Sequence, residues 1–459
     1  MHTASLRWSC LVLGLLLSSL ATRAQTAHLM TLDQAIAYGL EHSQNIQNAR
    51  FDEYIAQARV KETIAGGYPQ INGTVEGQYY FEVPRLVLPP SLAQTLNPGG
   101  DGEPLQAALP FQANLGASLS QMVFDGSFFV GVKAARAYRE LSHRQLNRSR
   151  EQVAYQVSQA YYQALIVQER LKVLDANLDR IDRLFTETQG RYEEGFVEKI
   201  DVSRLRINQN NLKLEREKTQ RMAEVSRQLL KFQMGMPLQD ELTLDAEVAD
   251  FTAEQPGDFL SAYTPDPSQR IDYQLLQSQQ ELEQFNYRRI RSGYLPNVYL
   301  SASYQRQYQG LEDEATEGFD LTGTWFNVAL MGLTVNVPIF DGLRKHRQMQ
   351  QSQLELRKLD NQFEQYQQSY QLEVEQAQVE LRNAYASLNA AEQNRDLAQE
   401  VYATTRTKYK EGVGSSLEVN DAETQLNEAE ANYLAALLEY LLSQTEYQRA
   451  MGAFGQYHE

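Results

Sequence analysis

The side chains that could support chemistry are few and scattered along this sequence. The single cysteine, Cys10, lies near the N-terminus. The histidines show no metal-ligand spacing; they are His2, His28, His42, His143, His346 and His458. No nucleophile, base and metal ligands converge in the pattern, so we expect neither an enzyme nor a bound cofactor. One carboxylate pair, Glu418 and Asp421, is spaced i, i+3 and therefore falls on one face of a helix.

The N-terminal segment indicates export. Arg7 precedes an apolar run at residues 11–20, and small residues surround Ala24. We therefore predict a secretory signal peptide over residues 1–24, since about ten apolar residues are too few to span a bilayer. The mature chain would lack cysteine, so packing or oligomerisation would have to stabilise it. No later run approaches eighteen apolar residues, so only strands could carry this chain across a membrane.

The charge of the chain excludes one class of partner. The 459 residues carry a formal net charge of -17. An acidic chain without a basic stripe should repel polyanions, so we expect no nucleic-acid partner.

A heptad pattern dominates residues 153–185. Its positions are apolar in alternating steps of four and three residues: Val153, Val157, Ala160, Ala164, Val167, Leu171, Leu174, Leu178, Ile181 and Phe185. The segment without proline or internal glycine runs from about residue 131 to 190, which predicts a helix roughly 90 Å long. On the heptad alone, a cytoskeletal-type or adaptor coiled coil is favoured. Shorter helices are predicted at residues 32–64 and 275–290.

In four segments the apolar residues recur at every second position, which predicts β-strands. They are residues 71–81, 111–120, 298–305 and 331–337, and a proline- and glycine-rich loop at 84–110 joins the first two. Alternating strands of about ten residues are typical of outer-membrane barrels. A soluble sandwich fits the strand pattern alone equally well. Export, the missing disulfides and the long helices favour the barrel.

The chain contains a tandem duplication. Residues 124–126 and 340–342 both read Phe-Asp-Gly, at an offset of 216. Arg191-Tyr192-Glu193-Glu194-Gly195 matches Lys408-Tyr409-Lys410-Glu411-Gly412, and Met-Gly at 234–235 recurs at 451–452, both at an offset of 217. We divide the chain into residues 25–235, an acidic linker at 236–269, and 270–459. Four strands cannot close a barrel around water, whereas three chains would supply twelve strands and remove every edge.

The order of these motifs resembles the TolC family of outer-membrane efflux proteins. Leu-Asp-Gln-Ala-Ile-Ala opens the first helix at 32–37, Tyr-Pro-Gln-Ile enters the first strand at 68–71, and Tyr-x-x-Gly stands at each helical turn. The resemblance implies an α+β, mainly α fold. A homotrimeric outer-membrane β-barrel with four strands per chain would continue into a periplasmic α-helical coiled-coil barrel.

That resemblance also implies a function. The chain would be a passive exit duct of a tripartite efflux or type I secretion system, opened by a periplasmic adaptor and an inner-membrane pump. The alternative is an exported structural coiled coil or adaptor with a soluble β-domain.

The resemblance assigns candidate residues to the helical turns. It places Glu418 and Asp421 at a periplasmic aperture, and in the first copy the matching positions are Asp201 and Arg204. Arg204 departs from a wholly acidic ring, and we hypothesise that it pairs with Asp421. The alternative for these carboxylates is a solvated first helical turn, where acids suit the helix dipole. The expected adaptor contacts, which include helix-capping glycines, are Arg191, Tyr192, Gly195, Lys408, Tyr409 and Gly412.

Overall fold

The computed structural model describes residues 28–87, 89, 95, 105–106, 110–246, 266–310 and 325–458. The predicted signal peptide lies outside these residues, as do most of the loop at 84–110 and positions 247–265 of the acidic linker. In chain order the elements are β1 (His28–Met30), α1 (Leu32–His42), α2 (Gln44–Ala65), β2 (Gln70–Tyr79), β3 (Arg85–Leu86), β4 (Leu105–Gln106), β5 (Phe111–Asp125), α3 (Gly126–Glu193), α4 (Lys199–Met234), β6 (Leu242–Leu244), α5 (Ile271–Ser292), β7 (Asn297–Gly310), β8 (Trp325–Asn336), α6 (Arg344–Lys410) and α7 (Ser416–Ala450). Short 3₁₀ turns precede α5 and follow α7.

The chain forms two compact units. Of the described residues, those within Met1–Phe51, Arg144–Gln274 and Phe363–Glu459 form the helical unit, and those within Asp52–His143 and Leu275–Gln362 form the sheet unit. Among the described residues, no helix has an apolar stretch long enough to cross a membrane.

The predicted heptad is the core of the helical unit. Val153, Val157, Ala160, Ala164, Leu174 and Ile181 are buried, and the remaining predicted positions are half-buried. The second copy repeats this pattern on α6, where Val374, Ala377, Leu381, Ala384 and Leu388 are buried. Both helices exceed sixty residues, with 68 in α3 and 67 in α6. Burial of one apolar stripe, rather than helix propensity, therefore holds them in place.

The prediction of one continuous helix over residues 32–64 is wrong. The helix breaks at Ser43, which is buried and extended, with φ -60° and ψ 130°. Gly235, at the end of α4, packs against this break so closely that a Cβ there would lie 2.6 Å from the His42 carbonyl oxygen. The approach of α4 explains the break, because a glycine backbone fits where a side chain would not.

The four predicted strands form one antiparallel sheet in the order β2-β5-β7-β8. The central pair, β5 and β7, joins the two copies of the duplication. One face of the sheet carries exposed apolar side chains along several strands, including Val75 at 83% and Met331 at 76% exposure. A short strand inside the predicted linker, β6, pairs in parallel with β1.

The duplication is visible in the backbone as well as in the sequence. Gly195 and Gly412 have φ of 84° and 78°, and Gly235 and Gly452 have φ of 73° and 76°. Only glycine adopts this left-handed conformation without strain. The mainly helical fold with a small sheet, built from a tandem repeat, agrees with the predicted fold class.

Candidate functional site

The two turns between the long and the returning helices have the same geometry. In the first, the Gly195 N–H donates to the Tyr192 carbonyl at 2.9 Å and the Phe196 N–H to the Arg191 carbonyl at 2.8 Å. In the second, the Gly412 and Val413 N–H groups make the equivalent bonds to Tyr409 and Lys408, at 3.2 and 3.0 Å. Each turn is therefore a Schellman motif, in which a left-handed glycine satisfies carbonyls at the helix end.

Arg191 and Tyr409 join the two turns. The Arg191 guanidinium donates to the Tyr409 carbonyl at 3.1 Å and lies 4.3 Å from the centre of its ring. The Tyr409 hydroxyl is hydrogen-bonded to the Thr188 hydroxyl at 3.1 Å, and the tyrosine is only 2% exposed. Its counterpart in the first copy, Tyr192, is exposed. Equivalent tyrosines thus occupy different environments: one is buried between the turns, whereas the other faces outward.

Asp201 and Glu418 lie in the first turns of α4 and α7, and Arg204 and Asp421 lie one turn farther along. Asp201 accepts a hydrogen bond from the Glu198 N–H at 3.3 Å, and the Glu418 N–H donates to the Ser415 hydroxyl at 3.2 Å. Arg204, Glu418 and Asp421 are exposed. Within the described chain, no ion pair joins Arg204 to Asp421. The role of these residues is not decided within a single chain, so both the ring between copies and the solvated first turn remain predictions.

A groove of about 910 Å³ lies between the two turns. It brings Asp201 and Arg204 together with three of the predicted tip residues, Arg191, Tyr409 and Gly412. Glu418 and Asp421 do not line this groove, and Lys408 is exposed outside it. The structure therefore groups Asp201 and Arg204 with the turns and leaves Glu418 and Asp421 exposed outside the groove.

Exposed apolar side chains at both turns are a feature that the sequence analysis missed. Phe196 and Val413 directly follow the two turn glycines and are 76% and 78% exposed. Ile200 and Leu417, the next equivalent pair, are also exposed. The signal was available, because both pairs obey the 217-residue offset and stand where polar turn residues are expected.

A buried charge cluster connects α3 to α7 within the helical unit. Arg180 Nε donates to Glu423 Oε1 at 3.0 Å, and its Nη2 donates to Glu430 Oε2 at 3.1 Å. The same Nη2 also donates to Asn177 Oδ1. The side chain of Glu423 is 1% exposed, against 18% for Arg180. This cluster is a direct polar link between the first and second copies of the duplication.

Burial raises the pKa of the Glu423 carboxyl, and the positive charge of Arg180 opposes that rise. Among the described residues, Glu423 Oε2 is buried without a hydrogen-bond partner, although the Tyr402 hydroxyl nearby also lowers the pKa of this carboxyl. A carboxylate in this position depends on Arg180 for compensation of its lost hydration. The sequence contained a signal for this cluster, since Glu423 falls between Val419 and Leu426 on the apolar stripe of α7.

The described residues include no group of three or more His, Cys, Asp or Glu side chains placed to hold a metal ion. The two turns instead offer grooves, exposed apolar groups and charges. Such surfaces suit contact with another protein or passage of a solute.

Solved structures of bacterial channels have the same fold. The chain superimposes on the Campylobacter jejuni CmeC outer membrane channel with a TM-score of 0.71 and 14% identity, covering 92% of this chain and 85% of that one. The Vibrio cholerae outer membrane protein VceC gives 0.67 and 16%, with 92% and 96% covered. The open state of the Neisseria gonorrhoeae MtrE outer membrane channel gives 0.69 and 16%, with 92% and 88% covered.

No curated protein sequence matches the chain significantly. The family model described as outer membrane efflux protein matches residues 36–235 and 270–453. Those two ranges cover most of the chain and include both helical turns, all four strands of the sheet and the whole heptad at residues 153–185. The chain belongs to the outer membrane efflux protein family, whose members are channels rather than enzymes, as its resemblance to the TolC family predicted.

Proposed function

We propose that three copies of this chain form a passive exit duct through the outer membrane. An inner-membrane pump would feed the duct through a periplasmic adaptor protein. The observation that carries the proposal is a four-stranded sheet with open edges and an exposed apolar face, attached to long helical hairpins, in a member of an outer-membrane efflux family.

The edges of the sheet support the trimer. Among the described strands, β2 pairs only with β5, and β8 pairs only with β7. Unpaired edges are unfavourable in a membrane, because their N–H and C=O groups find no water there. If β2 of one copy pairs with β8 of the next, three copies close a barrel of twelve strands without a free edge.

The apolar face of the sheet supports its position in the membrane. Met331, Leu333 and Val335 alternate along β8 and are more than half exposed in the single chain. In a barrel, a face of this composition would contact lipid, and apolar side chains lose no free energy in that contact. The helical hairpins would then extend the duct on the periplasmic side.

The carboxylates of α7 suit a role at the periplasmic aperture. Glu418 and Asp421 are exposed and, in the described chain, make no ion pair. Threefold symmetry would turn each into a ring, which would attract cations and generate repulsion between like charges. Arg204 would reduce that repulsion if it pairs with Asp421 across copies.

Opening would separate the helical hairpins at the turns. The first helical hairpin consists of α3 and α4, and the second consists of α6 and α7. The Arg191–Tyr409 contact and the Arg180 cluster hold these two hairpins together. An adaptor that binds the exposed tip residues, including Phe196 and Val413, would offset the loss of these contacts. The energy for opening would therefore come from partner binding.

Planar-bilayer conductance of the detergent-extracted protein tests this function. We expect the wild type to give small, cation-selective steps. Glu418→Ala/Asp421→Ala should give larger and less selective steps, because the acidic rings are removed. The matched control, Glu428→Ala/Glu439→Ala, removes the same charge from exposed positions farther along α7 and should leave the steps unchanged.

Other outcomes assign the failure to a specific part of the proposal. Equal effects of the two double variants would retain the duct and reject the aperture residues. An unchanged conductance in Arg204→Glu would reject the proposed pair with Asp421. A protein that purifies as a detergent-free soluble species would overturn the duct itself.

A further inference from the structure

Basic side chains collect at one end of the sheet of this acidic chain. Four short segments adjoin the helical ends of the strands: residues 59–69, 126–139, 288–296 and 337–347. They contain only two carboxylates, Glu62 and Asp341. Their cationic side chains, which we call the basic collar, are Arg59, Lys61, Lys133, Arg136, Arg139, Arg288, Arg289, Arg291, Arg344, Lys345 and Arg347. The collar contrasts with the whole chain, where 59 acidic residues outnumber 42 basic ones.

The opposite end of the sheet carries the opposite charge. The connection between β7 and β8, residues 311–324, contains five acidic residues and no Lys or Arg. The connection between β2 and β5, residues 80–110, contains three acidic residues and one arginine. The sheet therefore separates an acidic end from a basic end.

The collar is exposed and its charges are mostly uncompensated. Every member except Lys345 is exposed. Within the described chain, Lys345 is also the one member that forms an ion pair, at 3.3 Å from Asp341. Arg289 and Arg347 donate only to the neutral amides of Asn286 and Gln350, at 3.0 and 2.9 Å. These cations remain available to an external anion.

Part of the collar surrounds a groove between α5 and α6. This groove has a volume of about 680 Å³, and its lining includes Arg289, Arg344 and Lys345. Glu283 and Glu355 also line it, but they lie about two to three helical turns farther from the sheet. The basic part of the groove is thus the part next to the strands.

Exposed apolar side chains stand between the collar and the strands. Ile339 and Phe340 are 93% and 80% exposed, and Tyr68, Phe129 and Tyr294 are exposed as well. Aromatic and aliphatic groups beside arginine and lysine are typical of a membrane interface, where apolar groups enter the acyl boundary and cations reach the headgroups.

We propose that the basic collar binds anionic phospholipid headgroups of the membrane leaflet on the helical side of the sheet. This inference depends on the proposed duct, because it requires the strands to lie in a membrane. Charge complementarity argues for a phosphate-bearing leaflet: each exposed Lys or Arg near such a surface contributes about 1 kcal/mol of attraction. The acidic connections at the other end would avoid that leaflet, so the collar would also help to fix the orientation of the barrel.

The test measures the selectivity of the purified protein for spin-labelled phosphatidylglycerol over phosphatidylcholine in mixed micelles. We expect the wild type to prefer the anionic lipid, with a preference that weakens as salt is added. Arg288→Gln/Arg289→Gln/Arg291→Gln should reduce the preference by at least about fivefold, which corresponds to about 1 kcal/mol. The matched control, Lys213→Gln/Lys218→Gln/Arg221→Gln, removes the same charge from exposed positions on α4 and should keep the wild-type preference.

Three results would overturn the lipid proposal. The first is equal affinity of the wild type for the two lipids, and the second is an equal loss of the preference for the anionic lipid in both triple variants. The third is dissociation of the collar variant into single chains, which would make the collar an interface between copies. Conductance of the same preparations separates this proposal from the duct. Conducting collar variants without any change in lipid preference would reject the collar alone, whereas absence of conductance in wild type and variants would reject the duct.

Discussion

A single arginine compensates two carboxylates in the interior of the helical unit. Arg180 binds Glu423 and Glu430 on α7 while its own helix, α3, belongs to the other copy of the duplication. Removing one partner of a buried ion pair costs more than the pair itself contributes, because the remaining charge stays buried without compensation. The cluster therefore makes the contact between the two hairpins sensitive to one side chain.

We expect Arg180→Met to lower the free energy of unfolding of the helical unit by about 3–5 kcal/mol. Methionine keeps most of the length of the side chain but leaves the buried Glu423 without a cation. Chemical denaturation in detergent, followed by the helical circular dichroism signal, measures the loss. The control is Arg216→Met, whose partner Asp175 at 2.6 Å is solvent-accessible, and it should cost about 1 kcal/mol or less. Similar losses in the two variants would contradict a special role for Arg180.

At this scale the sequence predicted apolar positions better than charged ones. The heptad positions of α3 follow from period alone, since an apolar stripe must be buried. The partners of Arg180 do not follow from period, because Glu423 lies more than two hundred residues away and only the packing of α7 on α3 brings them together. The same holds for Tyr192 and Tyr409, which are equivalent in sequence but not in burial.

At the scale of elements, a glycine determines where two helices can meet. Gly235 ends α4 with φ 73° and lies against the break between α1 and α2. The motif Met-Gly was visible in both copies of the sequence. The break at Ser43 was not, because it depends on a helix that follows almost two hundred residues later.

We expect Gly235→Ala to lower the free energy of unfolding of the helical unit by at least about 1–2 kcal/mol. Alanine is strained in the left-handed conformation, and its Cβ would lie 2.6 Å from the His42 carbonyl oxygen. The thermal midpoint of the helical signal measures the change. Gly131→Ala is the control, since Gly131 lies inside α3 with no atom within 4 Å of the new Cβ, and it should stabilise by about 0.5–1 kcal/mol. A neutral Gly235→Ala variant would show that α1 and α4 can separate at little cost.

At the scale of the whole molecule, the sheet is the part that a single chain leaves incomplete. Its strands and their alternation followed from a period of two and from the duplication. The pattern showed that four strands need further copies to close a barrel, but the contact between copies could not be predicted, because edge pairing between chains leaves no mark within one sequence. The proposed β2 to β8 contact between copies is therefore the point that an experiment must decide.

Cysteine pairs on β2 and β8 test that contact. Within one chain β5 and β7 separate these strands by roughly 14 Å, which a disulfide cannot bridge. We expect Thr74→Cys, combined in turn with cysteines at positions 329–335, to give a trimer on non-reducing gels in at least one register. The control pair Gly73→Cys/Ala117→Cys, directly opposite on β2 and β5, should crosslink within one chain and leave a monomer. Monomers in every β2 to β8 combination would contradict the twelve-stranded barrel.

The open edges of the sheet also connect folding to concentration. If β2 of one copy completes β8 of the next, the sheet of a lone chain gains no closed hydrogen-bond ladder and no lipid-facing surface until other copies arrive. Its stability is then a property of the assembly, and mass action links it to the amount of protein present. Dilution alone would favour an incompletely folded chain, in which the helical unit is ordered and the edge strands of the sheet are unpaired.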